Sequence, residues 1–127
     1  MVSPSQRVLI VDDDRLVADT LSLIFARSGF AANARYSADE ALECAREFPP
    51  DLLLCDISMP DRDGIALVDD IHRELPSCRI LVLTGFYGNL HRVREHTKKL
   101  ARNVGILTKP CQPDDLLREA NAMLAMA

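Results

Sequence analysis

The chain has 127 residues, 48% hydrophobic and 27% charged, a formal net charge of −4 and a pI near 5.3. That is the size of one globular domain with one sizeable core, and its acidic balance speaks against general binding to nucleic acid or to an anionic membrane, both of which need a basic surface. Residues 1–7 carry no apolar signal core and runs such as LLLC at 52–55 are too short to span a bilayer, so neither export nor anchoring is indicated and a cytoplasmic location is expected.

In chain order, strands and helices alternate strictly. The β-branched run RVLIV at 7–11 predicts a strand, and Leu16 or Val17, Thr20 or Leu21, Ile24 and Ser28 then recur at helical spacing before Gly29, a natural helix stop. Asp14 is expected to cap this helix. Residues 30–36 predict a weak second strand, and Ser37-Ala-Asp-Glu40 has the form of a capping box opening a helix with Ala41, Leu42 and Ala45 inward, closed by Pro49-Pro50. The run 52–55 is apolar throughout, as in a central parallel strand covered on both faces. The following helix carries Ile65, Val68, Ile71 and Leu75 on one side and ends at Pro76. Residues 79–83 predict the fourth strand, 89–101 a helix, 104–107 the fifth strand and 113–126 a last helix burying Leu116, Leu117, Ala120 and Leu124. The cysteines at 44, 55, 78 and 111 form no CxxC pair and are expected to be reduced and buried.

Five βα units in one parallel sheet imply right-handed crossovers, helices on both faces, and a ligand site outside the carboxyl ends of the strands. Asp12-Asp13, Asp56, Thr84 and Lys109 each stand where an apolar run stops, so such a sheet gathers them at one edge. Several carboxylates in a partly buried cleft repel one another unless a cation offsets them, and an oxygen-only set without nearby His or Cys suits magnesium better than zinc. A lysine ammonium and a hydroxyl donor opposite the metal make a cradle for a phosphoryl group, and a carboxylate can be the nucleophile. Taken singly these residues also have plain readings: Asp12, Asp13 and Asp56 as polar strand ends or turn caps, Thr84 as a strand threonine, Lys109 as a surface lysine. Met59-Pro60 and Asp63-Gly64 read as turn formers, and His72, His91 and His96 as solvated helix residues.

With VLIVDDD at 8–14, LLLCDISMPDRDG at 52–64, ILVLTG at 80–85 and ILTKP at 106–110, the chain resembles the receiver domain of two-component response regulators over essentially its whole length, 1–127. The resemblance implies a flavodoxin-like doubly wound sheet of strand order 2-1-3-4-5 that accepts a phosphoryl group with magnesium from a histidine kinase or phosphotransfer protein. It makes Asp56 the acceptor, Asp13 a direct magnesium ligand and Asp12 one acting directly or through water, together with Asp56 and the carbonyl of Ser58, and Thr84 and Lys109 the partners of the phosphoryl oxygens. Such a domain is not a turnover enzyme, although it promotes its own phosphorylation and dephosphorylation. It is expected to signal through the helix at 89–101, the fifth strand and the last helix, with output through protein contacts because only one helix follows Lys109, unless the chain is a piece cut from a hybrid kinase or a longer regulator. The chain departs from the family at Ile106, commonly an aromatic switch residue, and in the 25 residues from Thr84 to Lys109, a long interval. Phe86 and Tyr87 could assume the switch role or simply pack. Arg92, Arg94, Lys98, Lys99 and Arg102 stand against Glu95 alone, which suits either an acidic partner or a solvated face. Two other functions fit the same residues: a phosphorylation-independent interaction module, and a magnesium-dependent hydrolase with an aspartyl nucleophile. The haloacid-dehalogenase-like form of the latter needs an Asp where Ser58 stands.

Overall fold

The computed structural model describes residues 6–57, 64–85, 104–108 and 112–125. The strands are β1 (Arg7–Val11), β2 (Ala31–Arg35), β3 (Leu52–Asp56), β4 (Arg79–Thr84) and β5 (Val104–Thr108), all parallel in the order β2-β1-β3-β4-β5. The helices among the described residues are α1 (Arg15–Arg27), α2 (Ala38–Glu47), α3 (Gly64–Glu74) and α4 (Pro113–Leu124). The helix expected over 89–101 lies outside the described residues, as do Ser58, Met59, Pro60, Asp63, Phe86, Tyr87, Lys109 and Cys111.

Strand alternation divides the core into two layers. Leu9, Val11, Leu53, Cys55, Ile80 and Val82 pack against α2 and α3, while Val8, Ile10, Leu52, Leu54, Leu81 and Leu83 pack against α1 and α4. Every residue of β3 is buried, which is why its sequence shows no alternation. At the edge, β2 is half exposed and correspondingly poor in large apolar residues.

Helix ends follow their local chemistry. The Asp14 carboxylate accepts from the Leu16 and Val17 amides at 3.1 and 3.4 Å, the cap expected of it. At the other end Gly29 adopts φ 98°, and the Gly29 and Phe30 amides donate to the Ala26 and Phe25 carbonyls, a Schellman closure that brings Phe30 against Phe25 in a tilted arrangement with ring centroids 5.4 Å apart. Ser37 caps α2 through the Glu40 amide, but the Glu40 carboxylate accepts from Tyr36 N–H, one residue beyond the Ser37 amide that a closed capping box would use.

Three details differ from the sequence expectation. The buried stripe of α1 is Ala18, Leu21 and Phe25, with Val17 partly covered; Leu16, Thr20 and Ser28 face outward, Leu16 at 76% exposure. Polar terminal residues extend the strands, since Asp56, Thr84 and Thr108 keep their ladder positions although their side chains break the apolar run. Met123 joins Leu116 and Ala120 in the core, whereas Leu117 and Leu124 are half-buried, because α4 packs with its 116–120–123 face inward. Cys44, Cys55 and Cys78 are buried and free, as expected.

Candidate functional site

The carboxyl ends of β1, β3 and β4 place their polar residues side by side. Asp12 follows β1, and its amide donates to the Arg35 carbonyl at 3.2 Å, continuing the β1–β2 ladder one step past the last apolar residue. Its Oδ1 accepts from the Asp14 amide at 2.9 Å, which turns the chain outward so that Asp13 is exposed while Asp12 stays 3% accessible. Asp56 closes β3 in register with Leu83 of β4, and the next amide, Ile57 N–H, donates to the Leu83 carbonyl at 3.0 Å. Asp56 is 7% exposed and Thr84, at the end of β4, is 1% exposed.

One carboxylate oxygen from each of Asp12, Asp13 and Asp56 lies within 4.8 Å of the others. Three like charges this close, two of them buried, raise one another's energy and call for a cation. The donors are all hard oxygens, the set that magnesium prefers and zinc does not. A further polar group meets the same edge: the Thr84 hydroxyl oxygen is buried and has no hydrogen-bond partner among the described residues. A buried hydroxyl left in that state costs on the order of 1–3 kcal/mol, so an acceptor arriving at this edge recovers energy that the described residues do not supply.

Four of the six residues singled out from the sequence are therefore placed: Asp12, Asp13 and Asp56 come together, and Thr84 lies on the adjoining strand end. Lys109 and Ser58 lie outside the described residues; Lys109 follows Thr108, which is in register with Thr84. Ile106 stands opposite Val82, partly buried on the α2–α3 side of the sheet, the side to which strand alternation also assigns Thr84. His72, expected to be solvated, is only partly exposed, and its Nδ1 is buried.

One site-shaping residue carried a different meaning in the sequence. Gly64 opens α3 against the strand end, and a Cβ there would meet Ile57 Cα at 2.7 Å and the Asp56 carbonyl at 2.8 Å. Its amide donates to the Ile57 carbonyl at 3.3 Å. The glycine next to Asp63 is needed less for a turn than for the close approach of α3 to the backbone that holds Asp56.

Comparison with known proteins bears on this arrangement. Residues 8–121 match the model of the family described as response regulator receiver domain. The chain is 32% identical over 117 residues to the chemotaxis protein CheY of Thermotoga maritima, covering 91% of this chain and 95% of that protein. It is 31% identical over 117 residues to the acid tolerance regulatory protein ActR of Rhizobium meliloti, covering 92% of this chain but spanning only 59% of ActR. Among solved structures, a CheY-like receiver domain protein from Methanospirillum hungatei superposes with a TM-score of 0.86 at 27% identity, over 95% of this chain and 94% of that one.

Proposed function

Because the chain belongs to the response regulator receiver domain family, we propose that it accepts a phosphoryl group on Asp56 from a phosphohistidine donor and signals through protein contacts. The observation that carries this is the meeting of the Asp12, Asp13 and Asp56 carboxylates within 4.8 Å, with a buried Thr84 hydroxyl on the adjoining strand end that has no hydrogen-bond partner among the described residues.

An Asp56 Oδ attacks the phosphorus; the donor's P–N bond breaks, its electron pair stays with the imidazole nitrogen, and an acyl phosphate forms on Asp56. Magnesium, held by Asp12, Asp13, Asp56 and the Ser58 carbonyl, would supply the positive charge that lets a trianionic edge receive a phosphoryl group. The chain's other residues position. The Thr84 hydroxyl donates to one phosphoryl oxygen and the Lys109 ammonium pairs with a second, so that charge spread over the equatorial oxygens meets fixed donors. Gly64 keeps α3 tight against Asp56 and so fixes the nucleophile's backbone. Hydrolysis of the acyl phosphate by water returns the domain to its resting state. The output surface is assigned to the 89–101 segment, β5 and α4, with Ile106 and the long interval from Thr84 to Lys109 altering how occupancy at Thr84 is transmitted.

Incubating the chain with magnesium and acetyl phosphate, and comparing it by mass spectrometry with Asp56→Asn, tests the proposal. Modification at one site is expected, abolished by Asp56→Asn, together with capture of a downstream protein by the modified chain. An unmodified parent chain would overturn the phosphoacceptor role; partner capture indifferent to modification would favour an interaction module of the same fold, and multiple turnover of phosphate esters a hydrolase.

A further inference from the structure

Arg15 is placed against the local rules of its helix. It is the first residue of α1, where the helix dipole favours an anion, and no acidic residue occupies that first turn. Its ordinary helical partner is Asp19, four residues on. Instead the Tyr36 hydroxyl donates to Asp19 Oδ1 at 2.5 Å, and the Arg15 guanidinium carbon lies 4.1 Å from the centroid of the Tyr36 ring. Tyr36 therefore occupies the carboxylate that Arg15 would otherwise neutralise and offers its ring as the resting place for the cation. Arg15 is exposed, and among the described residues it forms no ion pair.

The location of this exposed charge gives it a use. Tyr36 follows Arg35, whose carbonyl accepts from the Asp12 amide, so the ring carrying Arg15 is one residue from a direct bond to the carboxylate site. Arg15 itself is two residues from Asp13. The rim on the β2–α1 side thus holds a cation that, among the described residues, is in no ion pair and follows closely on Asp12 and Asp13, and any phosphoryl donor arriving there is an anion. A fixed cation at the rim reduces the repulsion that the carboxylates exert on it, an effect that grows with donor charge and is screened by salt.

We infer that Arg15, braced on Tyr36, is a positioning residue that draws anionic phosphoryl donors to Asp56. The inference rests on the phosphoacceptor role proposed above. For an acyl phosphate donor, the P–O bond to the carboxylate leaving group breaks, its electron pair departing with that carboxylate, as the Asp56 Oδ–P bond forms; Arg15 takes no proton and forms no bond.

The test is the rate of Asp56 modification in the full chain with saturating magnesium, using acetyl phosphate, a dianion near neutral pH, and phosphoramidate, a monoanion, at low and high salt. Arg15→Gln is expected to lower the second-order rate constant for acetyl phosphate by about threefold to tenfold at low salt, through weaker donor association rather than a lower maximal rate. The loss should be smaller with phosphoramidate, fade at high salt and be partly restored in Arg15→Lys. Tyr36→Leu should reproduce part of it, and the double variant should be no slower than Arg15→Gln. Magnesium affinity measured by calorimetry should not fall, which separates donor attraction from damage to the carboxylate site. An Arg15→Gln variant modified at the parent rate by acetyl phosphate at low salt, or equally slowed with both donors at all salt concentrations, would overturn the inference while leaving Asp56 as acceptor. A parent chain that neither donor modifies would overturn the acceptor role itself, and this inference with it.

Discussion

Cys78 shows how strongly this core acts on single residues. Burial pushes its thiol up from 9.0 to about 12, with the Asp51 charge adding to the effect and a hydrogen bond from the Leu53 backbone opposing it. The folded thiol is thus protonated where the unfolded one is already a thiolate. Between those values the unfolded chain binds fewer protons, so this residue's contribution to stability is complete below 9 and is lost as the pH rises toward 12, at up to about 1.4 kcal/mol per pH unit. The unfolding free-energy difference between the parent and Cys78→Ala should therefore shrink steadily over that range, and a pH-independent difference would contradict the assignment. The same burial keeps the thiol inert, in agreement with the sequence reading of the cysteines as structural. Asp12 and Asp56 are also buried, but they lie at strand ends, where their carboxylates meet that of Asp13 within 4.8 Å.

At the scale of elements, caps and close approaches decide where the functional groups lie. Asp14 starts α1 directly after the Asp12-Asp13 pair, so the same turn that ends β1 presents one carboxylate to the interior and one to solvent. α3 is positioned by Gly64, and Gly64→Ala would force a Cβ into backbone 2.7 Å away. Since backbone cannot move aside as a flexible side chain does, the expected cost is about 1–3 kcal/mol in a denaturation experiment, with displacement of Asp56 and slower modification. A fully stable, normally modified Gly64→Ala would show that α3 can retreat without disturbing the acceptor. The α2 and α3 helices are further joined by a two-pronged pair, Arg46 Nε and Nη2 to Glu74 Oε1 and Oε2 at 2.8 and 3.0 Å, which holds Glu74 below the usual carboxylate range through its bond to Arg46. Exposed pairs of this kind add orientation more than stability.

For the molecule as a whole, the clustered carboxylates store repulsion that binding can release. Magnesium that binds only the folded state should raise the melting temperature with a free energy of RT ln(1 + [L]/Kd). Asp13→Asn should raise it without magnesium, by removing one of three like charges, and should shrink the response to magnesium; a variant that keeps the full response would place the ion elsewhere. Much of this was legible in the linear chain. Apolar runs of period two or none, helical stripes, Gly29, the Asp14 cap and the proline stops marked all nine elements of the described residues in their observed order, and parallel strands necessarily collect Asp12, Asp13, Asp56 and Thr84 at one edge. Those signals are local: each depends on residues within a few positions, and the carboxyl edge follows from chain direction alone. Other features were not local. Leu16 and Val17 compete equally for the inner face of α1 until β1, β2 and α4 supply the surface it packs on. The demand for glycine at 64 comes from the Asp56–Ile57 backbone, not from its own turn. Asp19 stands four residues after Arg15 in α1 yet accepts from Tyr36 in the fold, since the chain after β2 brings the tyrosine to α1. The sequence by itself determined the order of elements and the chemistry gathered at their ends, because periodicity and strand polarity are properties of neighbouring residues. Only the tertiary structure decided which faces are buried, which glycine is indispensable and which cation rests on an aromatic ring at the rim, because those depend on residues far apart in the chain meeting at contact distance.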